Sequence, residues 1–419
     1  MNPQRLLIIG YVWPEPNSSA AGSRMMQLIF LFQKMEYEIK FASPAADSEF
    51  AFKLNDIGVE KVNILLNDNS FDQFITKLNP DVVLFDRFMM EEQFGWRVAE
   101  NCPHAMRILD TEDLHSLRKA RETAFKEMRT LVKQDLFNDT AKREIASILR
   151  CDCSLIISEF EMQLLQDMFK VDLNLLFYLP ILFEPIDTSH QHNWPAFENR
   201  KHFIFIGNFL HEPNVNAVQY LKKEIWPLIR KALPTAELHI YGAYPSKKIF
   251  SLHKPEQGFY VYGRTENSNE VLQSARVSLA PMRFGAGIKG KLLESMSCGT
   301  PCITSSIGAE GIAGTLNWPG MIADDPNEFA RTAVQLYADE NLWKAKQQNG
   351  INIINSRFSK SLFEAGLIEH INTLKNNLTS FRLQNFTGAM LMQQTTLASK
   401  YMSKWIEAKN KKVINKTTK

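Results

Sequence analysis

The densest chemistry in the chain lies at residues 280–301, Ala-Pro-Met-Arg-Phe-Gly-Ala-Gly-Ile-Lys-Gly-Lys-Leu-Leu-Glu-Ser-Met-Ser-Cys-Gly-Thr-Pro. An apolar strand is expected to end at Pro281, and a glycine turn, Gly285-Ala-Gly287, follows it. A helix is then predicted over 289–298, with Gly299 in the left-handed position that closes a helix. Strand, turn and helix start bring unpaired backbone N–H groups and the positive end of a helix dipole to one point, which suits an anion. Arg283 and Lys289 flank the turn and can pair with phosphate oxygens, Arg283 as a fork and Lys289 as a point charge. Lys291, two helix positions on from Lys289, is expected to point away from that anion. Read alone, Glu294 makes a surface salt bridge to Lys291, three residues back. The plainer alternative for the whole segment is a tight turn with solvated cations.

A second constellation stands at residues 109–118, Leu-Asp-Thr-Glu-Asp-Leu-His-Ser-Leu-Arg. A strand should end near Asp110, which turns the following loop into any cleft at the strand ends. Asp113 and His115 are the residues there that can orient a sugar or an acceptor hydroxyl. The alternative is helix capping by Thr111 or Asp113, with His115 merely half-buried. Near the N-terminus, Gly22 can let backbone approach a ligand, with Arg24 assisting; a plain helix start is the alternative. Asp86-Arg87 and Glu91-Glu92 follow another strand and could touch an acceptor.

These residues need a scaffold, and the hydrophobic pattern supplies one. Short, nearly continuous apolar runs at 6–10, 38–43, 62–66, 81–86, 105–110 and 154–158 alternate with longer mixed segments. Strands covered on both faces read this way, which predicts a parallel sheet flanked by helices. Residues 180–200 break the pattern with prolines, histidines and small polar residues and read as a connection. The pattern restarts at 203–207, 237–242, 259–263, 277–281 and 301–305. Between the first two of these a helix is predicted over 213–233, with Pro227 kinking or splitting it. The expected fold class is therefore α/β: two Rossmann-like, doubly wound parallel-sheet domains facing a central cleft. Residues 1–190 form the first, acceptor-side domain, 199–360 the second, donor-side domain, and 361–419 terminal helices with a basic tail. Ligands of open parallel sheets bind at the C-terminal strand ends.

Residues 283–311, containing Gly-Ile-Lys-Gly-Lys-Leu-Leu-Glu-Ser-Met-Ser-Cys-Gly-Thr-Pro and then Ser306-Ile-Gly-Ala-Glu-Gly311, resemble the donor-binding region of GT-B glycosyltransferases. The specific likeness is to the large retaining group known as family four. Phe203-Ile-Phe-Ile-Gly-Asn208 and Pro213-Asn-Val-Asn216 resemble the opening of that family's second domain, so Gly207 and Asn208 are expected at the donor. Residues 16–24, Pro-Asn-Ser-Ser-Ala-Ala-Gly-Ser-Arg, resemble its N-terminal glycine loop, and residues 109–118 resemble an Asp-x-His loop of related transferases. The likeness covers about residues 5–360. It implies that Glu294, the second glutamate of a Glu-x7-Glu pattern, accepts hydrogen bonds from a donor ribose. Where the first glutamate should stand, this chain has Ala286. The family's usual Arg and Lys after the first strand of the second domain are also missing, and the 208–216 loop offers no fixed cation. Arg283 and Lys289 are the expected substitutes.

The resemblance implies transfer from a nucleotide-sugar donor to an acceptor hydroxyl with retention. No Asp-x-Asp stands where a metal would be held, so neither metal nor cofactor is expected; fixed cations and helix-end dipoles can stabilise the leaving diphosphate. Ala286 leaves open a non-catalytic nucleotide-binding or partner subunit. It gives little support to the other alternative, a sugar-nucleotide epimerase.

Length and charge bound the partners. The chain has 419 residues, and its formal net charge of +2 gives no case for nucleic acid. Five cysteines, including the pair Cys151 and Cys153, fit no zinc framework and suit a reducing cytoplasm. The N-terminus runs into a strand without a secretory pattern, and no apolar run approaches the ~20 residues that span a bilayer. A cytoplasmic protein is expected. Its C-terminal lysines (Lys400, Lys404, Lys409, Lys411, Lys412, Lys416 and Lys419) form either a solvated tail or a peripheral contact with an anionic membrane face, where a glycan or lipid-linked acceptor could sit.

Overall fold

The computed structural model describes residues 3–417. Its first sheet has seven parallel strands: β1 Gln4–Ile9, β2 Tyr37–Ser43, β3 Glu60–Asn63, β4 Val82–Asp86, β5 Met106–Asp110, β6 Cys153–Ile156 and β7 Leu176–Tyr178. Their spatial order is β3-β2-β1-β4-β5-β6-β7. The second sheet has six: β8 Lys201–Ile206, β9 Leu238–Tyr241, β10 Phe259–Gly263, β11 Ala275–Ala280, β12 Cys302–Thr304 and β13 Gly320–Ile322, in the order β10-β9-β8-β11-β12-β13. Each strand order reverses once, between β1 and β4 and between β8 and β11. Those switch points are where crossovers part to opposite faces and leave a crevice at the strand ends.

The apolar runs form the cores. Leu7, Ile9, Val83, Phe85 and Leu109 face one side of the first sheet, and Leu6, Ile8, Val82, Leu84 and Ile108 the other. Alternation of buried residues on both faces is what a sheet covered twice requires. In the second domain Phe203, Phe205, Leu238, Ile240, Val277 and Leu279 face one side of the sheet, and Ile204 the other. All five cysteines are buried and free, as expected for reduced core residues.

The helix predicted over 213–233 forms as Glu212–Tyr220 and Trp226–Ala232 joined by a π-helical turn at Leu221–Ile225. The wider turn absorbs the amide that Pro227 lacks without breaking the rod. The helices that follow residue 361 pack on the first domain. Helix Glu364–Asn376 inserts Leu367, Ile371 and Leu374 into the core beside β1 and β4, so the chain returns to the first domain. Lys419 and the side chains of Lys411, Lys412 and Lys416 lie outside the described residues.

Candidate active site between the domains

The loops leaving β1, β4, β5, β8, β9 and β11 meet around one cleft of about 770 Å³. Both switch points open into it. The cleft therefore has a floor drawn from two domains, and each sequence-predicted residue can be placed against it.

On the second domain, Gly285 and Gly287 have φ of +145° and +63°, backbone that side chains disfavour. Helix Gly290–Ser297 starts immediately after, and Gly299, at φ +65°, closes it as expected. Lys289 is the residue before the first helical one and has non-helical backbone. Its buried side chain curls back so that Nζ donates to the Gly287 carbonyl at 2.9 Å. Desolvation lowers its pKa to about 8, with Glu310 opposing.

Lys291 does not point away. It lines the cleft, donates to Asn214 Oδ1, and lies with Nζ 5.0 Å from the Phe205 ring. Burial lowers its pKa to about 7, against the pull of Glu294. Lys289 stands before the helix with non-helical backbone, so helical spacing does not relate its direction to that of Lys291. Gly207 makes room for this lysine: a Cβ there would stand 3.1 Å from Lys291 Nζ. The cation that the 208–216 loop lacks thus arrives from the neighbouring helix. Glu294 also lines the cleft, and burial raises its pKa while Lys291 lowers it. Lys291 bonds Asn214 instead of Glu294, and both line the cleft, so the surface-bridge reading does not describe them.

Arg283 takes a different place. Its guanidinium lies 4.3 Å from the Tyr220 ring and 4.7 Å from that of Phe125, and Nε donates to Asn216 Oδ1 at 2.8 Å. It is not among the residues lining the cleft, so it does not converge with Lys289 on one ligand. Gly287 also differs from expectation. Its amide donates to Glu161 Oε1 at 2.8 Å, across the domain boundary, and so does not face the cleft.

On the first domain, Asp113 and His115 both line the cleft. Asp113 is gripped by Arg118 at 2.6 and 2.9 Å and stands 3.4 Å from His115 Nε2. Burial works against its charge, but Arg118, His115, His211 and Arg87 together hold its pKa below the ordinary value. Burial drives His115 down to about 4. The capping alternative fails: helix His115–Lys126 has Leu114 at its cap, and Glu144 accepts from the His115 and Ser116 amides at 2.9 and 3.1 Å. Arg87 and Glu112 line the same wall with φ of +69° and +62°. Glu112 is pushed up to about 8 by burial and by Asp110. Glu91 and Glu92 are elsewhere, paired with Arg150 and Arg143.

Gly22 lines the cleft, but a Cβ on it would meet the Glu15 backbone at 2.4 Å. Its missing side chain is therefore used by the protein's own loop. Arg24 is fully buried and bonds Asp110 and the carbonyls of Leu179 and Pro180, so it cannot reach a ligand. Asn208 touches the first domain, its Nδ2 donating to the Ser18 carbonyl at 3.2 Å. Tyr244 adds another crossing, with its hydroxyl 2.8 Å from both Glu15 oxygens. Neither crossing was legible in the sequence.

The fold and cleft define the class as GT-B. Residues 200–339 match the family described as Glycosyl transferases group 1. The resemblance read from residues 203–216 and 283–311 is therefore borne out for this domain. A curated relative, an uncharacterized 44.6 kDa protein in the cps region of Klebsiella pneumoniae, is 24% identical over 192 residues, 43% of this chain. The chain spans about half the length of that relative, 49%. Among solved structures, sucrose-phosphate synthase from Thermosynechococcus elongatus superposes with a TM-score of 0.66 at 15% identity, covering 88% of this chain and 99% of that one. The Anabaena protein HepE, in complex with UDP and glucose, superposes with a TM-score of 0.63 at 12% identity, covering 88% and 100%. No helix among the described residues is long and apolar enough to cross a membrane.

Proposed function

We propose that the protein is a glycosyltransferase that moves a sugar from a nucleotide-sugar donor to an acceptor hydroxyl in this cleft. The observation that carries the reading is the pair Lys289 and Lys291 at the start of helix Gly290–Ser297, inside a group 1 glycosyltransferase domain. Two lysines at the positive end of a helix dipole suit a diphosphate, whose charge favours their ammonium forms against the burial that lowers both pKa values, and they act most strongly as negative charge grows on the leaving phosphate. Glu294, one helical turn on, lines the same cleft and is assigned in this reading to the ribose hydroxyls. The UDP bound to HepE supports a nucleoside diphosphate as leaving group.

Fixed cations of this kind can neutralise the leaving group without a metal, and we propose metal-independent transfer. Retention of configuration follows in this reading from the leaving phosphate taking the acceptor's proton on the same face, which needs no protein base. The carboxylate that we assign to the role of the missing first glutamate is Asp113, which lines the cleft. Its Cβ lies 2.8 Å from where a Gly287 Cβ would be, beside Ala286. It is therefore assigned to the transferred sugar, with His115 and Arg118 fixing its direction. An acceptor glycan or lipid-linked sugar would enter along the wall of Arg87 and Glu112.

The test is incubation with a panel of nucleotide sugars while nucleoside diphosphate release is followed. Turnover of one donor supports transfer. Tight nucleotide binding with no release from any donor would favour the non-catalytic subunit that Ala286 leaves open.

A further inference from the structure

The C-terminal helix Phe386–Thr417 packs on helices Phe88–Asn101 and Asp139–Arg150 through one face. Gly388 and Ser403 are buried on that inner side. Arg97 anchors it there, reaching Ser403 Oγ at 2.8 Å and Glu407 at 2.6 Å. A helix held this way should turn a polar face to solvent. Instead, Phe386, Met390, Leu397, Tyr401 and Trp405 stand exposed, with Phe386 at 71%, Tyr401 at 65% and Trp405 at 60%. Spacings of four and seven residues place all five on one stripe, about 28 Å long at 1.5 Å per residue. A row of large apolar groups facing water has a cost unless something covers it.

The charge of this C-terminal segment points to the occupant. From residue 386 to 419 the sequence holds seven lysines and one acid, Glu407. Glu407 is turned inward to Arg97, so it does not offset the lysines; of these, Lys400 alone is ion-paired among the described residues, with Glu100 at 2.7 Å. Lys404 is exposed beside the stripe, and Lys409 Nζ lies 5.3 Å from the Trp405 ring. We propose that this face of the helix docks on an anionic lipid surface. Tyr and Trp suit the boundary between headgroups and acyl chains, and lysines beside them extend to the phosphates. A second copy of the chain is a poorer occupant, because a symmetric contact would set the same lysines against each other. The inference is independent of the donor chemistry in the cleft.

The test is co-sedimentation of the full chain with vesicles of phosphatidylcholine plus phosphatidylglycerol, against vesicles of phosphatidylcholine alone. The chain is expected to pellet with the anionic vesicles and to be released by salt. The double variant Tyr401→Ser, Trp405→Ser should lose at least about tenfold in partitioning, as two aromatic side chains no longer leave water. The pair Lys404→Glu, Lys409→Glu should lose the salt-sensitive part. Both pairs are exposed, and circular dichroism checks that the fold is kept. A chain that stays in the supernatant with both vesicle types overturns the proposal. So does a chain that sediments in free solution as a dimer and becomes monomeric on Tyr401→Ser, Trp405→Ser.

Discussion

Glu161 Oε1 accepts a hydrogen bond of 2.8 Å from the Gly287 amide, so a carboxyl of the first domain is seated on the glycine turn of the second. The same oxygen accepts from Leu114 at 3.1 Å, while Oε2 is buried without a partner. Around this contact Arg121 donates to the Gly285 carbonyl at 2.9 Å and clasps both Glu310 oxygens, and Phe125 packs on Phe284 with ring centroids 5.1 Å apart. The glycine turn is thus held by the opposite domain.

A pH dependence follows. Burial and Asp113 raise the Glu161 carboxyl from its ordinary 4.5 to about 8. Between those values the folded chain keeps a proton that the unfolded chain has lost. Stability from this group is full below about 4.5, falls as pH rises through the window, and is flat above about 8. Glu112 acts with the same sign. Glu161→Gln, which keeps the acceptor oxygen and never ionises, should flatten part of this decline. Glu161→Ala should cost about 1–3 kcal/mol at low pH, since two amides lose their acceptor. Thermal unfolding measured from pH 5 to 9 checks both; an unchanged slope in Glu161→Gln would show that Glu161 does not titrate in that range.

Lys291 and Arg283 should separate cleanly. Lys291→Ala is expected to lower turnover about 100-fold or more, in line with the loss of an oxyanion donor. Arg283→Ala should leave donor affinity nearly unchanged and lower stability by about 1 kcal/mol, the scale of its ring contacts. Steady-state kinetics with thermal melts decides it. The reverse pattern would return the phosphate role to Arg283.

That contrast also marks how far the sequence could be read. The glycine turn, the helix behind it and Gly299 were legible because each follows from local backbone needs. So were most strands, as unbroken apolar runs. The edge strands β7 and β13 escaped: each buries only one of its three residues, whereas the equally short β12 buries all three and reads as a strand covered on both faces. Lys291 was misplaced because one residue of error in a helix start rotates every side chain after it by about 100°. The sites of Arg283, Arg24 and Glu161 depend on Tyr220 and Phe125, Asp110, and Gly287, partners far along the chain that no local pattern announces.

Glu294→Ala should weaken nucleoside diphosphate binding about 10- to 100-fold, the range for losing hydrogen bonds to a charged group. The fold should persist, since no ion pair depends on this carboxylate among the described residues. Calorimetry with UDP measures the affinity. Unchanged binding would remove Glu294 from the ribose site.

Asp113→Asn is expected to lower kcat more than it raises KM. The amide keeps the shape but loses the charge that Arg118 supports. His115→Gln should cost less, because a histidine with a pKa near 4 is already neutral at working pH. Kinetic constants for both variants check the order; a larger loss in His115→Gln would make the histidine the primary group.

The most direct test of the account is calorimetric titration of UDP, without divalent metal, into the wild-type chain and the Lys289→Ala, Lys291→Ala double variant. Saturable binding by the wild type and a loss of about 100-fold or more in the double variant are expected, since the diphosphate loses two charge-assisted contacts. Equal affinity in a variant shown to be folded would contradict it, and the diphosphate would then have to be placed away from the start of helix Gly290–Ser297.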